Sequence, residues 1–113
     1  CKTSCAWSGK APYQSNPPRS CDKNDNALND GGSTQSARNG GSAYACSTEQ
    51  PWAVNDRLAY GFAAVNIASQ SEWDWCGACY QLTFTNTNLA GKTMIVQATN
   101  TGYSGSNVFN LAI

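Results

Sequence analysis

From Cys79 onward apolar and polar residues alternate. Tyr80, Leu82 and Phe84 are separated by Gln81, Thr83 and Thr85, the period-two pattern of a half-buried strand. Asn88-Leu89-Ala90-Gly91 reads as a turn, Thr93 to Thr99 as a second strand, and Thr101-Gly102-Tyr103-Ser104-Gly105 as a loop. Val108 to Ile113 begins a third strand that is still apolar at the last residue. Ahead of these strands the period changes. Leu58, Ala59, Phe62, Ala63, Val65 and Ile67 fall at roughly helical spacing, so a helix is expected from near Pro51 to near Ser69. Asn55 or Thr48 would cap it. Gly61 inside the stretch weakens a helix by about 1 kcal/mol relative to Ala, and two shorter helices are the alternative.

Residues 1–46 hold no sustained periodicity. They are rich in Gly, Asn, Ser and Pro, with Pro17-Pro18, Asp30-Gly31-Gly32 and Asn39-Gly40-Gly41 as turn markers. Irregular segments of this length are usually functional or cross-linked, and Cys1, Cys5, Cys21 and Cys46 are the available cross-linkers. Strands that follow one helix and are tied to a cysteine-rich loop region suggest a small barrel. No repeat or linker interrupts the 113 residues, so residues 1–113 form one domain.

Six cysteines without a zinc-ribbon arrangement point to disulfides, an oxidising compartment and secretion. The pair Cys76-Gly77-Ala78-Cys79 has the CxxC spacing of a zinc or redox motif. A zinc site would want a second pair or histidines, and a thioredoxin-like motif a βαβ context. The chain has no histidine, so two structural half-cystines with different partners are favoured and no metal or cofactor is expected. The missing histidine also excludes Ser-His-Asp and Cys-His catalysis. Acid–base chemistry is left to Asp22, Asp25, Asp30, Glu49, Asp56, Glu72 and Asp74.

Seven basic and seven acidic residues cancel, which gives no electrostatic reason for a nucleic acid or an anionic membrane as partner. The many Ser, Thr, Asn, Gln and Gly residues suit a neutral hydrogen-bonding ligand such as a sugar. No apolar run approaches the length of a membrane span. The chain starts on Cys1 and stops within an apolar run at Ile113, and truncation at both ends is the simpler account of that.

Several segments, in order, resemble glycoside hydrolase family 45 endoglucanases. They are Cys1-Lys2-Thr3-Ser4-Cys5-Ala6-Trp7, Gly40-Gly41-Ser42-Ala43-Tyr44-Ala45-Cys46 and Pro51-Trp52-Ala53-Val54-Asn55-Asp56. Gly61-Phe62-Ala63-Ala64, Trp75-Cys76-Gly77-Ala78-Cys79-Tyr80 and Leu82-Thr83-Phe84-Thr85 continue the likeness. Gly91-Lys92, Gly105-Ser106-Asn107 and Phe109-Asn110-Leu111 close it. The resemblance spans essentially the whole chain. It implies a mainly β fold: a six-stranded double-psi β-barrel with long disulfide-stapled loops and a short helix, incomplete at both ends. It also implies a secreted, monomeric cellulase that hydrolyses internal β-1,4-glucosidic bonds of cellulose with inversion. Inversion needs two carboxyl groups about 6.5–9.5 Å apart, one to protonate the leaving oxygen and one to activate water.

The resemblance also implies roles for single residues. The family's base is an Asp directly ahead of the first cysteine pair, and this chain opens at the second cysteine of that pair. The family's general acid is the Asp of a Phe-Asp-Leu segment, and Asn110 occupies its position; an amide has no proton to give. Without the resemblance, Asn110 would read as a strand-end asparagine bonded to its own backbone. Trp7 matches a cleft tryptophan whose indole stacks on glucose, or else it packs on the Cys5 bridge. Lys2 beside it is a candidate donor to sugar hydroxyls, or a plain solvated lysine. Cys5 is expected to pair with Cys76 and Cys21 with Cys46. The family partner of Cys1 aligns with Ala37, and that of Cys79 lies beyond Ile113. Trp52 and Trp75 read as core residues, Asp56 as a helix-start charge and Asp74 as a loop charge. A non-hydrolytic, expansin-like glucan-binding or wall-loosening module is the alternative function, and Asn110 favours it.

Overall fold

In a computed structural model, described for residues 1–11, 18–102 and 105–112, the period-two segments form the body of the molecule. Pro17, Tyr103, Ser104 and Ile113, singled out by the sequence, lie outside the described residues. Two short strands, β1 (Ser20–Cys21) and β2 (Tyr44–Ala45), pair antiparallel within the loop region. The main sheet contains β3 (Trp52–Ala53), β4 (Leu58–Asn66), β5 (Cys79–Thr83), β6 (Thr93–Thr101) and β7 (Val108–Leu111). Its order is β3-β4-β6-β5, with β7 also on β4. Strand β4 pairs with β6 in parallel along one edge; β3 and β7 share its other edge, both antiparallel. Closure of this sheet into a barrel is not seen among the described residues. The fold is mainly β.

The helix expected between Pro51 and Ser69 does not form; Leu58–Asn66 is the long central strand. Its odd positions Gly61, Ala63 and Val65 are buried, and its even positions Tyr60, Phe62 and Ala64 lie half-buried on the opposite face. Both faces carry apolar residues, so alternation is hidden and the run reads as helical by coincidence. Gly61 marks close packing rather than a weak helix. A Cβ there would lie 2.4 Å from Met94 Cε and 3.2 Å from Pro51 Cβ.

The one α-helix among the described residues is a single turn, α1 (Glu72–Trp75). Ser71 caps it, and Asp74 closes a capping box by accepting from the Ser71 backbone N–H at 2.8 Å. Asp74 is thus a helix-start residue and not a loop charge. The helix delivers Trp75 to a core of Ala63, Val65, Met94, Val96 and Ala98. Trp52 has the opposite fate: 53% of it is exposed, contrary to the core packing its sequence setting suggests.

The loop region is held by side chains and bridges. Cys5 is bonded to Cys76 and Cys21 to Cys46, the pairs implied by the family resemblance, while Cys1 and Cys79 are free. Asp22 Oδ1 accepts from the Asn24 and Asn26 N–H groups, and Asp30 from those of Gly32 and Thr34. Asp25 accepts from the Ser47 N–H and hydroxyl.

Candidate functional site

Trp7 follows a 3-10 turn (Ser4–Ala6) that Cys5 pins to Cys76, just ahead of β5. The turn is also tied to β6: Ser4 N–H donates to Asn100 Oδ1 at 2.9 Å, and the Ser4 and Thr101 hydroxyls are 3.1 Å apart. Lys2 is buried rather than solvated. Its Nζ donates to the Gly32 and Thr34 carbonyls, each at 2.7 Å, and sits 4.0 Å from the centre of the Trp7 ring. Burial lowers the Lys2 pKa below its ordinary value, and nearby Asp30 partly offsets this. An ammonium has three donors, and two are committed to carbonyls. Lys2 also covers part of the Trp7 ring, with a cation–π contact added.

The Asp30–Thr34 loop makes that clasp possible. Hydrogen bonds from the Thr34 side chain and from the Thr34 and Gly32 backbone hold the Asp30 pKa down to about 2. Gly32 lies directly against the Trp7 backbone; a Cβ there would meet Ala6 O at 2.5 Å and Ser8 N at 2.6 Å. Trp7 borders two concavities. One, of about 420 Å³, is lined by Lys2, Ser4, Trp7, Arg38, Asn39 and Asn100. The other, of about 370 Å³, includes Trp7, Arg19, Leu28 and Asp30.

Asn110 stands exposed on β7, opposite Ala64 of β4. Ala64 pairs on its other side with Asn100 of β6. Asn100, Ala64 and Asn110 thus form one row across three strands, with the outer two backbones about 10 Å apart. The row joins the two ends of the candidate site: Asn100 anchors the turn that carries Trp7, and Asn110 is the sequence-derived acid position. It contains no carboxylate. A β-bulge precedes it, because Ala63 pairs with Ala98 but Ala64 with Asn100, which leaves Thr99 as the extra residue on β6. Gly102 leaves room beside the row, since a Cβ there would lie 2.9 Å from Asn110 Nδ2.

Two features escaped sequence reasoning. Asn100 gave no signal, because its role depends on a turn 96 residues away. Glu49 stood only as one of seven carboxylates with nothing to single it out, yet burial pushes its carboxyl up to about 7 despite a hydrogen bond with the Thr99 side chain. The other carboxylates in contact are committed. Burial works against ionised Glu72, but bonds with Ser4 and Lys10 leave its pKa lowered, and its Lys10 ion pair spans 3.1 Å. The one potential metal cluster among the described residues joins Glu72 with Cys5 and Cys76. Those sulfurs are bonded to each other, so they cannot ligate.

The chain belongs to glycosyl hydrolase family 45, whose sequence model matches residues 1–113. A Fusarium oxysporum protein bearing the name putative endoglucanase type K is 55% identical over 112 residues, covering 98% of this chain and 30% of that protein. An endoglucanase of Cryptopygus antarcticus is 48% identical over 114 residues, covering 100% of this chain and 49% of the relative. The crystal structure of the cellulase from that springtail superposes with a TM-score of 0.90 at 46% identity, covering 100% of this chain and 53% of the other. The chain spans about half or less of the length of these relatives. No helix among the described residues is long and apolar enough to cross a membrane.

Proposed function

We propose that this chain is part of the catalytic domain of a secreted endo-β-1,4-glucanase acting on cellulose or a related β-glucan with inversion. The observation that carries the reading is the agreement with the springtail cellulase over the whole chain. Trp7 stacks on a glucosyl ring, and Lys2 holds the indole at that angle. The polar concavity at Ser4, Asn39 and Asn100 receives the hydroxyls. Asn110 stands at the acid position, where its Nδ2–H can donate to a glycosidic oxygen but cannot transfer a proton. Protonation of the leaving group is therefore the slow step. The base comes from the segment that the family places ahead of Cys1. The protein acts as a monomer without metal or cofactor, since acid–base chemistry of this kind needs only two carboxyl groups. Neither nucleic acid nor membrane is a partner.

The amide at position 110 favours a second reading, a non-hydrolytic, expansin-like module that binds glucan or loosens walls. The two separate on cellohexaose with the full-length polypeptide carrying this chain. The first reading expects shorter oligosaccharides whose new reducing ends are the α-anomer by ¹H NMR before mutarotation. Binding of cellohexaose with no new reducing ends would replace it with the second.

A further inference from the structure

The face of β4 that carries Ala64 in the candidate row continues away from it through Phe62 and Tyr60. Trp52 on β3 lies directly opposite Tyr60 on β4, and their rings stack with centroids 5.6 Å apart and planes 22° from parallel. Phe62, two residues on along the same face, has its ring 6.3 Å from Trp52. Pro51 packs against Gly61 at the start of β3, and over half of the Trp52 indole is open to solvent. Large aromatic surface left exposed in an ordered setting usually marks an interaction site.

The aromatic strip runs into a cavity of about 470 Å³, for which Phe62 forms one wall. Gln97, the β6 neighbour of Phe62, and Thr99, Glu49 and Arg19 supply polar groups there. Gln97 is oriented by donation from Nε2 to the Gly77 carbonyl at 3.1 Å. Burial raises the Glu49 carboxyl to about 7, so below neutral pH its protonated form can donate as well as accept a hydrogen bond. Asp25, the other carboxylate at the cavity, is engaged by Ser47. The wall is thus mainly uncharged and rich in hydrogen-bonding groups. Arg19 lines this cavity and also the concavity at Trp7, so the two surfaces adjoin.

The geometry points to a second glucan-binding surface, running from Trp52 across Tyr60 and Phe62 to the Glu49–Gln97 cavity. A β-glucan offers the matching chemistry. Each sugar ring has an apolar C–H face for the indole and hydroxyls for the amide, hydroxyl and carboxyl groups. The ligand is neutral, as is the chain overall. The inference rests on the proposed glucanase reading for the identity of the ligand.

Affinity electrophoresis in gels with hydroxyethyl cellulose tests it, using the whole chain and its Trp52→Ala, Trp52→Phe, Trp7→Ala and doubly substituted Trp7→Ala/Trp52→Ala forms. Trp52→Ala should weaken retardation about five- to tenfold, the size of a single aromatic anchor, and Trp52→Phe should restore most of it. Trp7→Ala should leave residual binding that the double substitution abolishes. Thermal melting of Trp52→Ala should stay close to that of the parent, because the side chain is exposed. Unchanged binding by Trp52→Ala would overturn the inference, as would residual binding to Trp7→Ala that survives the double substitution. If Trp7→Ala alone abolishes binding, the inference fails while the glucanase reading stands. If no form binds, both fail.

Discussion

The two halves of this chain reach order by different means. In β4 to β7, order comes from burial: Val65, Val96 and Ala98 are fully enclosed, and Ala63 and Trp75 nearly so. In residues 1–50, little apolar surface is buried, and order comes from two bridges, carboxylate-capped turns and an ammonium bound by carbonyls. The candidate site is built where the halves meet, with Trp7 supplied by the loops and the Asn100–Ala64–Asn110 row by the sheet. A precise regular element carries one part, and a cross-linked loop aims the other at it.

Substitutions should separate the two modes by size. Trp75→Ala removes the largest side chain of the core and should cost about 3–5 kcal/mol, read as a shift in the urea midpoint. Replacing Cys5 and Cys76 by Ala cuts a bridge that spans 71 residues and joins the halves, at a cost of about 4 kcal/mol. The Cys21–Cys46 pair, which spans 25, should cost about 3 kcal/mol. If the core substitution proved milder than the loss of either bridge, burial would not be the dominant support of the sheet.

The loop region can also be strengthened. Cys1 is free, and two hydrogen bonds hold its neighbourhood against residues 36 and 45, from Lys2 N–H to Ser36 Oγ and from Ala45 N–H to the Cys1 carbonyl. Ala37→Cys should let a third bridge form with Cys1 and add about 2 kcal/mol, less than the ideal loop-closure value. Mass spectrometry under non-reducing conditions would detect the linkage between Cys1 and the introduced thiol, and its absence would mean that the two segments do not approach there.

The smallest effect is on pH dependence. Glu49 ionises near 4.5 when unfolded and near 7 when folded. Its raised value means that its contribution is fully present below about 4.5 and is lost as pH rises through 7. The loss should be on the order of 1–2 kcal/mol once partial exposure is allowed for. Glu49→Gln should flatten the decline in melting temperature over that window. Asp30 works in the opposite sense. Its lowered value makes its contribution present above 3.8 and lost as pH falls through 2, so Asp30→Asn should remove that acid limb.

The same contrast decides what could be read in the sequence. Strands β5, β6 and β7 were legible because one face of each is more apolar than the other. Strand β4 was not, since apolar residues on both faces erase the period. Likeness to a family brought out the bridges and the Asn110 position, which spacing alone could not assign. The burial of Lys2 was invisible because it depends on carbonyls at positions 32 and 34 that meet the ammonium only after the Asp30 turn forms. Trp52 was misjudged for the same reason that Glu49 was not singled out from the other carboxylates: exposure is set by distant partners, and local pattern carries no trace of them.

Asn110 is where sheet geometry and proposed chemistry coincide, so Asn110→Asp in the full-length polypeptide is the most direct test. General acid catalysis commonly contributes about 10²–10⁴-fold. The aspartate form should hydrolyse cellohexaose faster by a factor in that range, lose activity on the alkaline side as the acid deprotonates, and bind the substrate as tightly as before. Equal kcat in the two forms would contradict the placement of the acid at position 110.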